Sequence, residues 1–101
     1  MAKTKKTKKQ KRKPRFGDEF FKATSWLTTK GEARNFFADL FTKKEIMGIT
    51  RRWQAIMMLE NEKTYAEIER RTHLSSATIA RIAKQIRKGK KGYKLIMKRI
   101  E

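Results

Sequence analysis

Cysteine is absent from this 101-residue chain, and proline and histidine occur once each. With no thiols there is no disulfide framework and no thiolate zinc site, a composition that fits a reducing compartment. Acids are scarce as well: 10 Asp+Glu against 28 Lys+Arg leave a formal net charge of +18. No stretch reaches the roughly 18 uncharged apolar residues of a membrane span. The basic N-terminus has no apolar segment behind it of the kind a secretory leader carries. Nowhere do four or more residues alternate cleanly between apolar and polar, so no half-buried strand is expected. The chemical equipment of an enzyme is missing too, since there is neither a phosphate-cradling glycine loop nor a nucleophilic cysteine. The acids stand mostly at helix starts or among Lys and Arg, where they read as caps and solvated pairs. His73, alone, makes no metal site, so neither a metal nor a cofactor is expected.

What is abundant is positive charge, and it is unevenly placed. Residues 1–15 carry nine Lys/Arg and no acid, residues 16–77 are nearly balanced at +1, and residues 78–101 add +8. A sequence pI near 10.7 makes a polyanion the first partner to consider. The first fifteen residues have no large apolar side chain and repel along their length, so they are expected to be a disordered arm able to track phosphates. Residues 16–101 form the expected folded domain.

That domain reads as all-α. Asp18 and Glu19 suit the first turn of a helix carrying Phe20, Phe21, Ala23, Trp26 and Leu27, which Thr28 to Gly31 break. A second helix is expected from about Glu32, with Phe36, Phe37, Leu40 and Phe41 on one face. Thr42 and Glu45 form a T-x-x-E capping box, opening a third helix with an apolar stripe of Ile46, Ile49, Trp53, Ile56 and Met57. Thr64 and Glu67 repeat that signature ahead of a short helix with Ile68 inward. After the interruption Thr72-His73-Leu74-Ser75, either Ser75 or Ser76 can cap a further helix whose Ile79, Ile82, Ala83 and Ile86 share a face. Gly89 is expected to end it as a left-handed C′ glycine. Tyr93, Leu95, Ile96 and Ile100 mark a short last helix.

A short helix, a tight turn and a capped second helix over about 64–88 is the helix-turn-helix layout. Ile68, Leu74, Ile79 and Ile82 are the apolar set that would lock the two helices at a steep angle. Facing the other way stand Ser75, Ser76, Ala77, Thr78, Arg81, Lys84, Gln85 and Lys88, joined by Thr64 and Tyr65 at the start of the first helix. Small hydroxyl-bearing residues at a helix tip let it approach base edges in a major groove, and the cations further along fall where phosphates flank it. These ten residues are the expected contacts to double-stranded DNA. Two positions depart from the usual pattern, with Glu69 where a small residue is common and His73 where the turn commonly uses glycine. His73 is accordingly read as a strained turn residue at positive φ, and Glu69 as reaching Arg70 or Arg71 or sliding to the rim.

Residues 40–97 resemble the Trp-repressor superfamily, and within it the YerC/YecD-type regulators. The matching pieces are the LFTKKE helix start, RWQ at 52–54, KTYAEI at 63–68 and SSATIARI at 75–82, with FFADLF just upstream. The resemblance implies an intertwined all-helical homodimer, a cytoplasmic, nucleoid-associated bacterial transcription regulator, setting two recognition helices in successive major grooves. It is an implication that small-domain packing supports, since Phe36, Phe37, Phe41, Trp53 and the Met47/Met57/Met58 cluster have little room to be buried within one copy. By the same resemblance Thr42, Arg52 and Arg81 correspond to positions of an effector pocket. Ile82 and Gln85 replace a glycine and a serine there, and the isoleucine would fill space that an indole ring uses. Tryptophan is therefore not the expected ligand, and the sequence specifies no other small-molecule corepressor; Arg52 is free to pair with an acid instead.

The rival reading is a ribosome- or RNA-associated basic helical protein. It draws on the lysine arm, on GKKG at 89–92, and on Tyr65 and Tyr93 as stacking platforms, but lacks the flanking strands that a GXXG RNA-binding loop needs. A membrane-surface role for the last basic helix is set aside on the expectation that its apolar residues serve the fold.

Overall fold

The computed structural model describes residues 13–100, and the first twelve residues of the expected arm lie outside the described residues. Six α-helices follow in order, with no strand among the described residues: α1 (Asp18–Thr24), α2 (Lys30–Leu40), α3 (Lys43–Glu60), α4 (Tyr65–Thr72), α5 (Ser76–Lys88) and α6 (Gly92–Ile100). The chain divides into two compact units, the first ending at Asp39 and the second starting at Leu40.

In the first unit α1 is shorter than its apolar pattern suggests. Thr24 Oγ1 donates to the Phe21 carbonyl at 2.8 Å and Ser25 Oγ to that of Lys22 at 2.6 Å, closing the helix. Trp26 and Leu27 consequently fall in the following turn, not on the helix. The second helix begins two residues before Glu32. Thr29 Oγ1 accepts from Glu32 N at 3.1 Å, while the Glu32 carboxylate accepts from Thr28 N at 2.9 Å and Thr28 Oγ1 at 3.1 Å. Those Thr28 bonds hold the Glu32 carboxyl below its usual range. Their support for the helix is therefore present at neutral pH and is lost as pH falls through that lowered value. Phe20 stacks on Phe36 at 6.2 Å between centroids and meets Phe37 edge-on at 6.4 Å. Even so, neither α1 nor α2 contains a buried residue.

The second unit holds the core. Thr42 caps α3 with both halves of the box formed, Thr42 N to Glu45 Oε1 at 2.9 Å and Glu45 N to Thr42 Oγ1 at 3.1 Å. At the other end Lys63 N reaches the Met58 carbonyl and Glu62 N that of Leu59, a Schellman closure with Glu62 left-handed at φ 59. The chain returns as α4, and Ala55, Met58, Ile68, Ile79 and Ile82 close together between α3, α4 and α5, with Ile56, Leu59, Leu74 and Ile86 packed on them. Met58 thus belongs to the intrachain core rather than to an exposed cluster. Met47, by contrast, is exposed, and Met57, Phe36, Phe37, Phe41 and Trp53 are half-buried.

The end of α5 also differs from expectation. Gly89 has φ −83 and ψ −166, so it is no left-handed C′ residue. A Cβ there would sit 3.0 Å from the Gln85 carbonyl oxygen, a tight contact that glycine avoids. The left-handed step is taken by Lys91 at φ 59, whose ammonium donates to the Arg87 carbonyl at 3.0 Å and so satisfies the last turn. Beyond it, α6 is tied to α3 by Lys94 Nζ to Glu60 Oε2 at 3.8 Å. It buries none of its residues, and Leu95, Ile96 and Ile100 are exposed. The apolar side of this last helix therefore does not serve the intrachain core. No helix among the described residues is long and apolar enough to cross a membrane.

Candidate functional site

The corner between α4 and α5 is built by local bonds that the residue types dictate. Thr64 caps α4, its hydroxyl accepting from Glu67 N at 3.1 Å. The second T-x-x-E is only half a box, however, for the Glu67 carboxylate lies 3.9 Å from Arg71 instead. Thr72, almost wholly buried, donates its hydroxyl to the Ile68 carbonyl at 2.7 Å and accepts from Leu74 N at 3.2 Å, so one side chain ends α4 and starts the turn. His73 takes the left-handed conformation, φ 64 and ψ 19, as its place in the turn requires, and donates its amide to the Glu69 carbonyl at 2.8 Å. Ser75 then caps α5, accepting from Thr78 N at 3.1 Å.

Glu69 does not reach Arg70 or Arg71. Its Oε2 accepts from Ser76 N at 2.9 Å, across the turn. The carboxylate thereby satisfies a donor at the start of α5 that would otherwise need water or a ligand, and it lies at the positive end of the helix dipole. Thr72 and Glu69 are the two residues that set the corner, and neither role is announced by helical periodicity.

On α5 the division between faces is sharp. Ile79 is 0% and Ile82 2% exposed, and Ala83 is buried beside them. Ser75, Ser76, Ala77, Arg81, Lys84, Gln85 and Lys88 are exposed, with Thr78 half-buried. Thr78 Oγ1 accepts from Ser75 Oγ at 3.0 Å and from Arg81 Nη2 at 3.3 Å, so the Arg81 guanidinium is held over the first turn. Ala80 is exposed too. It continues the small strip begun by Ala77 one turn earlier, and the i, i+3 spacing alone could have placed it there. Thr64 and Tyr65 are exposed at the start of α4.

Each of the three residues corresponding to an effector pocket has a partner within the chain. Thr42 is the α3 cap and Arg81 is engaged with Thr78. Arg52 donates to Gln85 Oε1 at 3.4 Å, tying α3 to α5, so its partner is an amide and not an acid. Beside that bond runs a groove of about 390 Å³ lined by Arg52, Ile56, Ile82, Gln85, Ile86 and Tyr93 among others. Gln85 therefore sits on the flank of α5 that borders the groove. Among the described residues no three His, Asp or Glu side chains come together as a metal site would need.

The three-helix core thus presents one capped, cationic helix with a small-residue tip, and residues 17–101 match the Trp repressor protein family. The chain belongs to that family, whose fold is one of regulators and not of enzymes. It is 32% identical over 84 residues to the uncharacterized protein YerC of Bacillus subtilis (strain 168), spanning 83% of this chain and 81% of that protein. In three dimensions it resembles a TrpR-like protein from Eubacterium eligens ATCC 27750, known from a crystal structure. The TM-score is 0.78 and the identity 32%, with 82% of this chain and 86% of that chain covered. The YerC-type resemblance read from residues 40–97 agrees with both.

Proposed function

We propose that the protein is a sequence-specific double-stranded DNA-binding regulator that acts as a homodimer, with α4 and α5 as a helix-turn-helix. The α5 tip enters the major groove: Ser76, Ala77, Thr78 and Arg81 face base edges, and Lys84 and Lys88 meet the flanking phosphates. Thr64, Tyr65, Ser75 and Gln85 complete the contact surface. The observation that carries this reading is the complete burial of Ile79 and Ile82 under an exposed hydroxyl- and guanidinium-bearing tip. It is the arrangement needed to hold a helix rigidly while offering its first turns to a ligand. The arm of residues 1–15 adds sequence-independent attraction to phosphate. Such a protein works on the chromosome, in the cytoplasm of a bacterium.

The dimer is supported by what one copy leaves uncovered: Phe16, Phe21 and Trp26 in the first unit, and Leu40, Met47, Ile49, Leu95, Ile96 and Ile100 in the second. Association of two copies would cover such apolar side chains. Sedimentation at micromolar concentration is expected to give a dimer; a compact, stable monomer would remove the paired-groove arrangement. Tryptophan is not the ligand in this reading, because Ile82 packs into the core beneath the groove and Gln85 already engages Arg52.

The decisive experiment is selection of bound duplexes from a random library with structured RNA as competitor. A two-fold-symmetric consensus is expected. Capture of the RNA in its place would turn the assignment to an RNA-associated basic protein.

A further inference from the structure

Resting on the DNA-binding reading above, we infer that Glu69 is a positioning and specificity residue: its carboxylate braces the α4–α5 corner, and its charge beside the α5 tip weakens phosphate contact that base recognition does not accompany. The brace is visible at both ends of the residue. The Glu69 carbonyl takes the His73 amide at 2.8 Å, holding the left-handed turn, and Oε2 takes the Ser76 amide at 2.9 Å, holding the start of the next helix. With Thr78 N already on Ser75 Oγ, two donors at the start of α5 are satisfied from within the chain.

The charge has a separate consequence. A helix start with free amides and an uncompensated dipole attracts any phosphate, whatever the sequence behind it. In this protein the carboxylate of the half-buried Glu69 occupies that place. Phosphate attraction is already plentiful from Lys84, Arg87 and Lys88 along the same helix and from nine cations in residues 1–15. In a non-specific complex the start of α5 rests against phosphate, where one fixed negative charge opposes it, whereas on a matching sequence the same tip faces base edges through Ser76, Ala77 and Arg81. The net effect is a larger ratio of specific to non-specific binding. It also accounts for an acid at a position where a small neutral residue is common.

Brace and charge can be separated, because a glutamine oxygen accepts the same Ser76 bond without the charge. The full chain and its E69Q and E69A variants are compared on the duplex recovered by selection and on random duplex across a salt series, alongside thermal melts. E69Q is expected to melt between wild type and E69A, because it keeps the Ser76 bond and loses the charge–dipole attraction, and to bind random duplex about threefold or more tighter at low salt, with a smaller preferred-to-random ratio. E69A is expected to melt about 4–8 °C lower, since it loses the bond. E69Q that binds random duplex no tighter than wild type overturns the role of the charge, and E69Q that melts as low as E69A overturns the separation. A wild-type chain that prefers no duplex at all overturns the DNA reading itself, a result distinct from a normally discriminating wild type with an indifferent E69Q.

Discussion

Ile79→Ala is expected to lower the melting temperature by about 10 °C or more and to abolish duplex binding along with it. Ile79 is fully buried in a cluster of five buried side chains with four more packed on it. Truncating a buried isoleucine costs about 2–5 kcal/mol, through lost transfer energy and the cavity left behind. A domain of this size has about 5–15 kcal/mol in all, and each kcal/mol moves its melting point by about 4–8 °C. The loss falls on the contact that holds α5 against α3 and α4, so the recognition surface is expected to go before the rest of the chain does. Lys84→Ala on the exposed side of the same helix serves as control and is expected to stay within about 0.5 kcal/mol. Differential scanning calorimetry decides the matter: equal melting of the two variants would mean that Ile79 is not a core residue.

Arg81→Ala is expected to cost about 1–3 kcal/mol per half-site on the preferred duplex and far less on random DNA. The guanidinium is held by Thr78 Oγ1 at 3.3 Å, so its direction is preset before DNA arrives. Thr78→Val removes that acceptor together with a hydroxyl of the tip, and is expected to weaken the preferred duplex in the same selective way. Lys88→Ala, in the last turn, is expected to weaken all duplexes about equally and to reduce the salt slope by about one per half-site. Fluorescence anisotropy on both duplexes over a salt series separates the two patterns. Equal loss on preferred and random DNA for Arg81→Ala would reduce that residue to a phosphate contact.

Glu69 shows how far a local reading of this chain reaches. The caps at Thr42, Thr64 and Ser75 are legible because each is a side chain bonding an amide three residues on, within reach whatever the rest of the chain does. The same rule applies at Thr29 and Glu32, where Gly31 disguises a third T-x-x-E and moves the expected start of α2 too late. By contrast, the partner of Glu69 lies seven residues away across a turn, and that of Arg52 lies thirty-three residues away on another helix. Charge pairing suggested arginines for the one and an acid for the other, since nearby opposite charges are all that a linear pattern offers. Backbone amides and neutral amide oxygens compete for such groups only once the helices are docked. The glycine at 89 is a similar case: it follows the last turn of α5 in an extended and not a left-handed conformation, with the Gln85 carbonyl close by.

Composition and periodicity alone determined that this chain is helical, strongly basic, without cysteine, and built around a capped pair of helices with an aliphatic side and a small polar tip. These properties follow from residue type and from spacings of three and four, which act over one or two turns. The docked structure decided which methionine enters the core, which apolar residues one copy leaves uncovered, and where Glu69 and Arg52 direct their polar groups. Those outcomes depend on atoms brought together from distant parts of the chain, and such proximity exists only after α3, α4 and α5 have closed on one another.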